Sequence, residues 1–64
     1  MQNSIEQVRA IRTEQVMRMT GLWRTTIFRA VKEGRFPKPM KLGERAVGWL
    51  ESDIRAWLES RRVA

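Results

Sequence analysis

Sixty-four residues without cysteine or histidine form one small domain that lacks a disulfide staple, a thiolate metal site, the usual zinc ligand and the usual general base. Thirteen Lys and Arg against seven Asp and Glu give a formal charge of +6 and a pI near 11.4. No apolar run approaches the roughly 20 residues of a membrane span, and residues 1–10 are polar and carry Glu6, unlike a signal peptide. The expectation is a cytoplasmic module, not an enzyme and without cofactor or metal, whose partner is an anion.

Residues 1–10 read either as a short helix, on the spacing of Ile5, Val8 and Ile11 and the Ser4/Gln7 capping pair, or as a flexible arm. Thr13 is placed as the cap of the first firm helix, with Glu14 at its positive end, Val16 and Met19 facing inward and Gly21 ending it. A second helix is predicted from about Arg24 to Glu33 and closed by Gly34, with Ile27, Ala30 and Val31 as its buried stripe. Together residues 13–34 match a helix-turn-helix.

Phe36-Pro37-Lys38-Pro39 cannot be helical. Met40-Lys41-Leu42 and Ala46-Val47-Gly48-Trp49 then read as two strands joined through Gly43-Glu44-Arg45, a wing over residues 38–50. Met40, Leu42, Val47 and Trp49 are expected on its inner face. A last helix, residues 52–62, is predicted with Ser52 as its cap and Ile54, Trp57 and Leu58 as its apolar stripe. The fold class is therefore mainly α with a small β-hairpin, in the order helix, helix, hairpin, helix: a winged helix-turn-helix spanning residues 1–64 as a single domain.

The charge is not spread evenly over this order. Residues 1–11 and 46–64 are each neutral, whereas residues 12–45 carry nine bases against Glu14, Glu33 and Glu44. The whole surplus lies on the two helices and the wing, which is the pattern of a binding footprint.

Thr20-Gly21-Leu22, Thr26-Ile27-Phe28-Arg29, Glu33-Gly34-Arg35-Phe36-Pro37-Lys38-Pro39, Gly48-Trp49 and Ser52-Asp53-Ile54-Arg55-Ala56-Trp57 follow one pattern. On these the chain resembles the AlpA family of phage and prophage regulators, within the wider excisionase-like and MerR-like group, over about residues 11–60. The resemblance implies a bacterial or phage-encoded, nucleoid-associated protein that binds double-stranded DNA. Its second helix would lie in the major groove, and its wing on the adjacent backbone or minor groove. Two departures stand out. The family usually has Ser or Thr where this chain has Trp23, and Tyr where it has Phe28.

On that reading Arg24, Thr25, Thr26 and Arg29 reach base edges or phosphates from the second helix, and Lys32 touches phosphate. Lys41 and Arg45 act from the wing, Arg45 toward a narrow minor groove. Arg35 and Lys38 flank the Phe-Pro turn beside phosphate. Trp49 and Trp57 belong to the core, and Phe28 is partly buried against the wing. Trp23 has no core periodicity. It stacks on DNA sugar-phosphate, contacts another protein such as RNA polymerase or a second copy, or fills a gap beside the third helix.

The leading function is a sequence-specific transcriptional regulator that positions transcription machinery at phage or prophage genes. An excisionase working with an integrase shares the fold and differs only in its target and partner. A protein-binding inhibitor or antitoxin would use the basic face on an acidic protein and show no site-specific binding to DNA.

Overall fold

The computed structural model describes residues 9–62. Strand β1 (Ala10–Ile11) is followed by helix α1 (Thr13–Thr20), helix α2 (Arg24–Lys32), strands β2 (Met40–Gly43) and β3 (Ala46–Leu50), and helix α3 (Glu51–Ser60). The mainly α, winged helix-turn-helix class is as expected. The sheet, however, is three-stranded and antiparallel in the order β1-β3-β2. The third strand pairs Ala10 with Leu50 and Ile11 with Trp49. The alternative readings of Ser4, Ile5, Gln7 and Val8 lie outside the described residues.

Both turns of the helical pair follow from a glycine in the left-handed region. Gly21, at φ 75°, ends α1 and donates its N–H to the Met17 carbonyl at 2.8 Å. After α2, Gly34 (φ 77°) donates to Val31 and Arg35 donates to Ala30. This pair of bonds is a Schellman closure, which uses up carbonyls the helix end would leave bare.

The starts of α1 and α3 differ from expectation. Arg12, not Thr13, holds the extended cap position, and no side chain caps the helix. Strand β1 keeps the backbone extended through Arg12, so Thr13 becomes the first helical residue and is buried. Ser52 does not cap α3 either. The helix begins at Glu51 directly out of β3, with Leu50 as its cap residue. The Glu51 N–H instead donates to the Arg9 carbonyl at 2.8 Å, so the neighbouring chain segment satisfies a donor that a cap would otherwise serve. The helix ends at Ser60, two residues short of the predicted limit.

The core is Ile11, Val16, Ile27, Ala30, Phe36, Trp49 and Ile54, one or two residues from almost every element. Trp49 lies at its centre, fully buried. Its ring meets Phe36 edge-on at 6.2 Å and Phe28 at 5.7 Å, and its Nε1–H donates to the Pro37 carbonyl at 2.8 Å. Trp57 packs on Phe36 at 4.7 Å and donates its Nε1–H to the Arg35 carbonyl at 2.9 Å. Two indoles thus pin the Arg35 and Pro37 carbonyls on either side of Phe36 and fix where α2 hands over to the wing.

Of the four residues expected on the inner face of the wing, only Trp49 is buried; Met40, Leu42 and Val47 are exposed. The register accounts for Met40, which faces Gly48 while Lys41 faces Val47, so Met40 lies on the face away from Val47 and Trp49; Val47 shares the face of Trp49 and is exposed nonetheless. Gly43 pairs with Ala46, leaving Glu44 and Arg45 alone at the tip.

Gly48 is where β1 and the wing come closest. A Cβ there would lie 2.6 Å from the Ile11 carbonyl oxygen and 2.7 Å from Leu42 Cδ1. Leu42 can rotate away, but the Ile11 backbone cannot. Gly48→Ala is expected to push β1 off the sheet at a cost of about 1–3 kcal/mol, read as a fall in Tm of roughly 5–20 °C. An unchanged melting curve would show that β1 yields without loss.

Candidate nucleic-acid interface

The solvent side of α2 is built by helical spacing. Ile27 and Ala30 turn into the core, which leaves Arg24, Thr25, Phe28, Arg29 and Lys32 exposed along the opposite arc. Five of the expected contacts are therefore sorted by the helix. Arg24, Thr25, Arg29 and Lys32 share the exposed arc, whereas Thr26 is half-buried at its far edge. Phe28 was expected to pack partly against the wing. It does so through Trp49, yet 37% of it stays exposed among the cations.

Ion pairing separates these cations further. Arg24 Nη2 lies 3.2 Å from Glu14 Oε2, bridging the two helices of the pair. Glu14 accepts a backbone N–H at the start of α1, and with Arg24 beside it and Arg12 nearby this holds its carboxyl below the ordinary 4.5. The favourable interaction is present at neutral pH, above the ordinary value, and is lost as the pH falls through the lowered one. Both side chains are exposed, so the pair orients Arg24 more than it stabilises the fold.

Arg35 pairs with Glu33 just beyond α2, and Arg9 and Arg55 pair with Glu51. Arg62 pairs with Glu59. Among the described residues, Arg12, Arg18, Arg29, Lys32, Lys38, Lys41, Arg45 and Arg61 have no carboxylate partner. Arg29, Lys32, Lys38, Lys41 and Arg45 of these lie on α2, in the Phe-Pro segment and on the wing. Lys41 and Arg45 are exposed, Arg45 in the two-residue tip.

Trp23 sits at the cap position of α2 in extended backbone, and is 75% exposed. It fills no gap beside the last helix, and that expectation is corrected. With Met17, Leu22, Arg18 and Arg24 it lines a shallow cavity of about 340 Å³.

Among the described residues no group of His, Cys, Asp and Glu is placed to hold a metal ion, and no helix is long and apolar enough to cross a membrane. Two short helices around a glycine turn, braced by a wing and presenting unpaired cations, define a winged helix-turn-helix protein. The chain belongs to the AlpA family of prophage regulators: the family model described as "Prophage CP4-57 regulatory protein (AlpA)" matches residues 9–62.

It is 35% identical over 65 residues to the "DNA-binding transcriptional activator AlpA" of Escherichia coli K12, covering 92% of this chain and 93% of that one. It is also 40% identical over 57 residues to "Uncharacterized protein ORF88" of Enterobacteria phage P4. That match covers 89% of this chain but only 65% of the phage protein.

Proposed function

We propose that the chain is a sequence-specific, double-stranded-DNA-binding transcriptional regulator acting in the bacterial cytoplasm. In this reading α2 enters the major groove, and Arg24, Thr25 and Arg29 approach base edges from its first two turns. Thr26, half-buried, contacts the backbone at the rim. Lys32 and Arg35 meet phosphate, and Lys41 and Arg45 carry the wing along the adjacent backbone or minor groove.

The observation that carries the reading is the asymmetry of ion pairing. Arg9, Arg55 and Arg62 toward the two ends of the described chain are paired with acids, whereas α2 and the wing keep Arg29, Lys32, Lys41 and Arg45 without a carboxylate partner. Cations held on a rigid, convex helix face fit a polyanion with a groove. The name of the Escherichia coli relative, a DNA-binding transcriptional activator, agrees with it.

Selection from a random duplex library with the purified protein tests the proposal. A recovered consensus, followed by protection of a promoter-proximal site, is the expected result. Binding without any recovered consensus would sink it, and a row of protected sites beside an attachment site would instead assign the protein to recombination with an integrase.

Trp23 is placed in this scheme as the contact to the transcription machinery. Its exposure beside the apolar Met17 and Leu22 motivates the assignment. Trp23→Ala is expected to leave stability within about 1 kcal/mol and DNA affinity within about twofold of wild type, since exposed truncations cost little. Reporter activation should fall several-fold. Full activation by the variant would remove Trp23 from that role.

A further inference from the structure

The cationic arc of α2 contains one residue that cannot bind phosphate. At 3.6 residues per turn, Phe28 stands about 40° around the axis from both Arg24 and Lys32, midway between them. It is 37% exposed, while its helix neighbour Ile27 is fully buried. The ring is not free to swing. It rests against the indole of Trp49 at 5.7 Å, and that indole is itself held by the Pro37 carbonyl and the edge of Phe36.

A second exposed apolar side chain lies on the wing. Alternation along β3 puts Val47 on the same face as Trp49, and the register puts Lys41 opposite Val47 on that face. Val47 is also 37% exposed. Phe28 against the Trp49 ring and Val47 two residues along the same face of β3 are therefore partly exposed apolar side chains, one on α2 and one on the wing.

We infer that Phe28 is a specificity-determining residue whose ring contacts the C5 methyl of a thymine; the inference rests on the DNA-binding reading above. Phe has no donor or acceptor, so it gains nothing from phosphate oxygens or from the polar edges of guanine, cytosine or adenine. The thymine methyl is the apolar feature of the major groove and marks one base alone. Because the ring is already immobilised by Trp49, the contact is made with little loss of side-chain freedom.

The test replaces each thymine of the selected site with deoxyuridine, which removes only the methyl. Wild-type protein is expected to lose about three- to fivefold in affinity at one or two positions. Phe28→Ala, checked for folding by its thermal melt, should bind thymine and deoxyuridine sites equally at those positions.

A second measurement avoids the variant. 5-Iodouracil placed at a sensitive position and irradiated should cross-link wild-type protein at the peptide containing Phe28. No sensitivity at any thymine, sensitivity that persists undiminished in folded Phe28→Ala, or cross-linking elsewhere would each overturn the inference while leaving a sequence-specific regulator intact. Failure to select any site would overturn both.

Discussion

Trp49→Ala is expected to unfold the domain. Removing a fully buried large aromatic costs about 3–5 kcal/mol, and a core of this size supplies about 3–5 kcal/mol in all. The structure gives no reason for the cost to fall at the low end. The indole touches Phe28 from α2 and Phe36 from the turn, and its Nε1–H serves the Pro37 carbonyl. Truncation leaves a cavity among three elements and a carbonyl without its donor. Far-UV circular dichroism should show loss of helix at ambient temperature, with no cooperative melt.

Trp49→Phe separates the two contributions. It keeps most of the apolar volume but drops the hydrogen bond, and is expected to cost about 1–3 kcal/mol. A cooperative melt for Trp49→Ala close to that of wild type would show that the fold holds without the Trp49 indole.

The second large effect is on recognition. Arg29→Ala is expected to reduce affinity for the selected site by roughly ten- to a hundredfold and to relax the base preference at one position, the loss of one bidentate contact. Lys32→Ala, one turn distant by sequence on the same arc, should weaken selected and random duplexes alike. It should also lower the slope of log affinity against log salt by about 0.9.

Arg29 and Lys32 make a fair comparison because neither has a carboxylate partner among the described residues, so neither substitution strands a buried or bridged acid. Arg24 differs. Its removal also leaves the Glu14 carboxylate uncompensated near the site, so its loss of affinity mixes two effects. Equal losses on selected and random DNA for Arg29→Ala would make it a positioning contact and not a reader.

The helical pair was legible because its signals are local. Gly21 and Gly34 stop helices by backbone geometry alone, and Ile27 and Ala30 mark a buried stripe by spacing alone. The wing was legible from its alternation and its turn. Strand β1 was not, since two residues carry no period and Ala10–Ile11 is a strand only because β3 lies beside it. The same partnership hid the start of α3. Ser52 is a good cap in isolation, but the Arg9 carbonyl already takes the Glu51 N–H. Likewise, no rule of alternation says that Val47 is exposed beside a buried Trp49; that depends on what packs above each. The arc of α2 was readable as a cationic face, but the exposed remainder of Phe28 was not, because packing on Trp49 and exposure at the groove give the same sequence signal.

Strand β3 touches β1, β2, α1 and α3, while α1 and α2 make few contacts with each other alone. The helix that enters the major groove in the proposed reading thus comes early in the chain, and the strand that holds the pair comes late. During synthesis the helix-turn-helix has no core to close upon until residues 46–54 have left the ribosome. A fragment truncated before Ala46 would carry most of the cations and none of the fold, and would therefore fail to occupy the site as a dominant competitor of the intact protein.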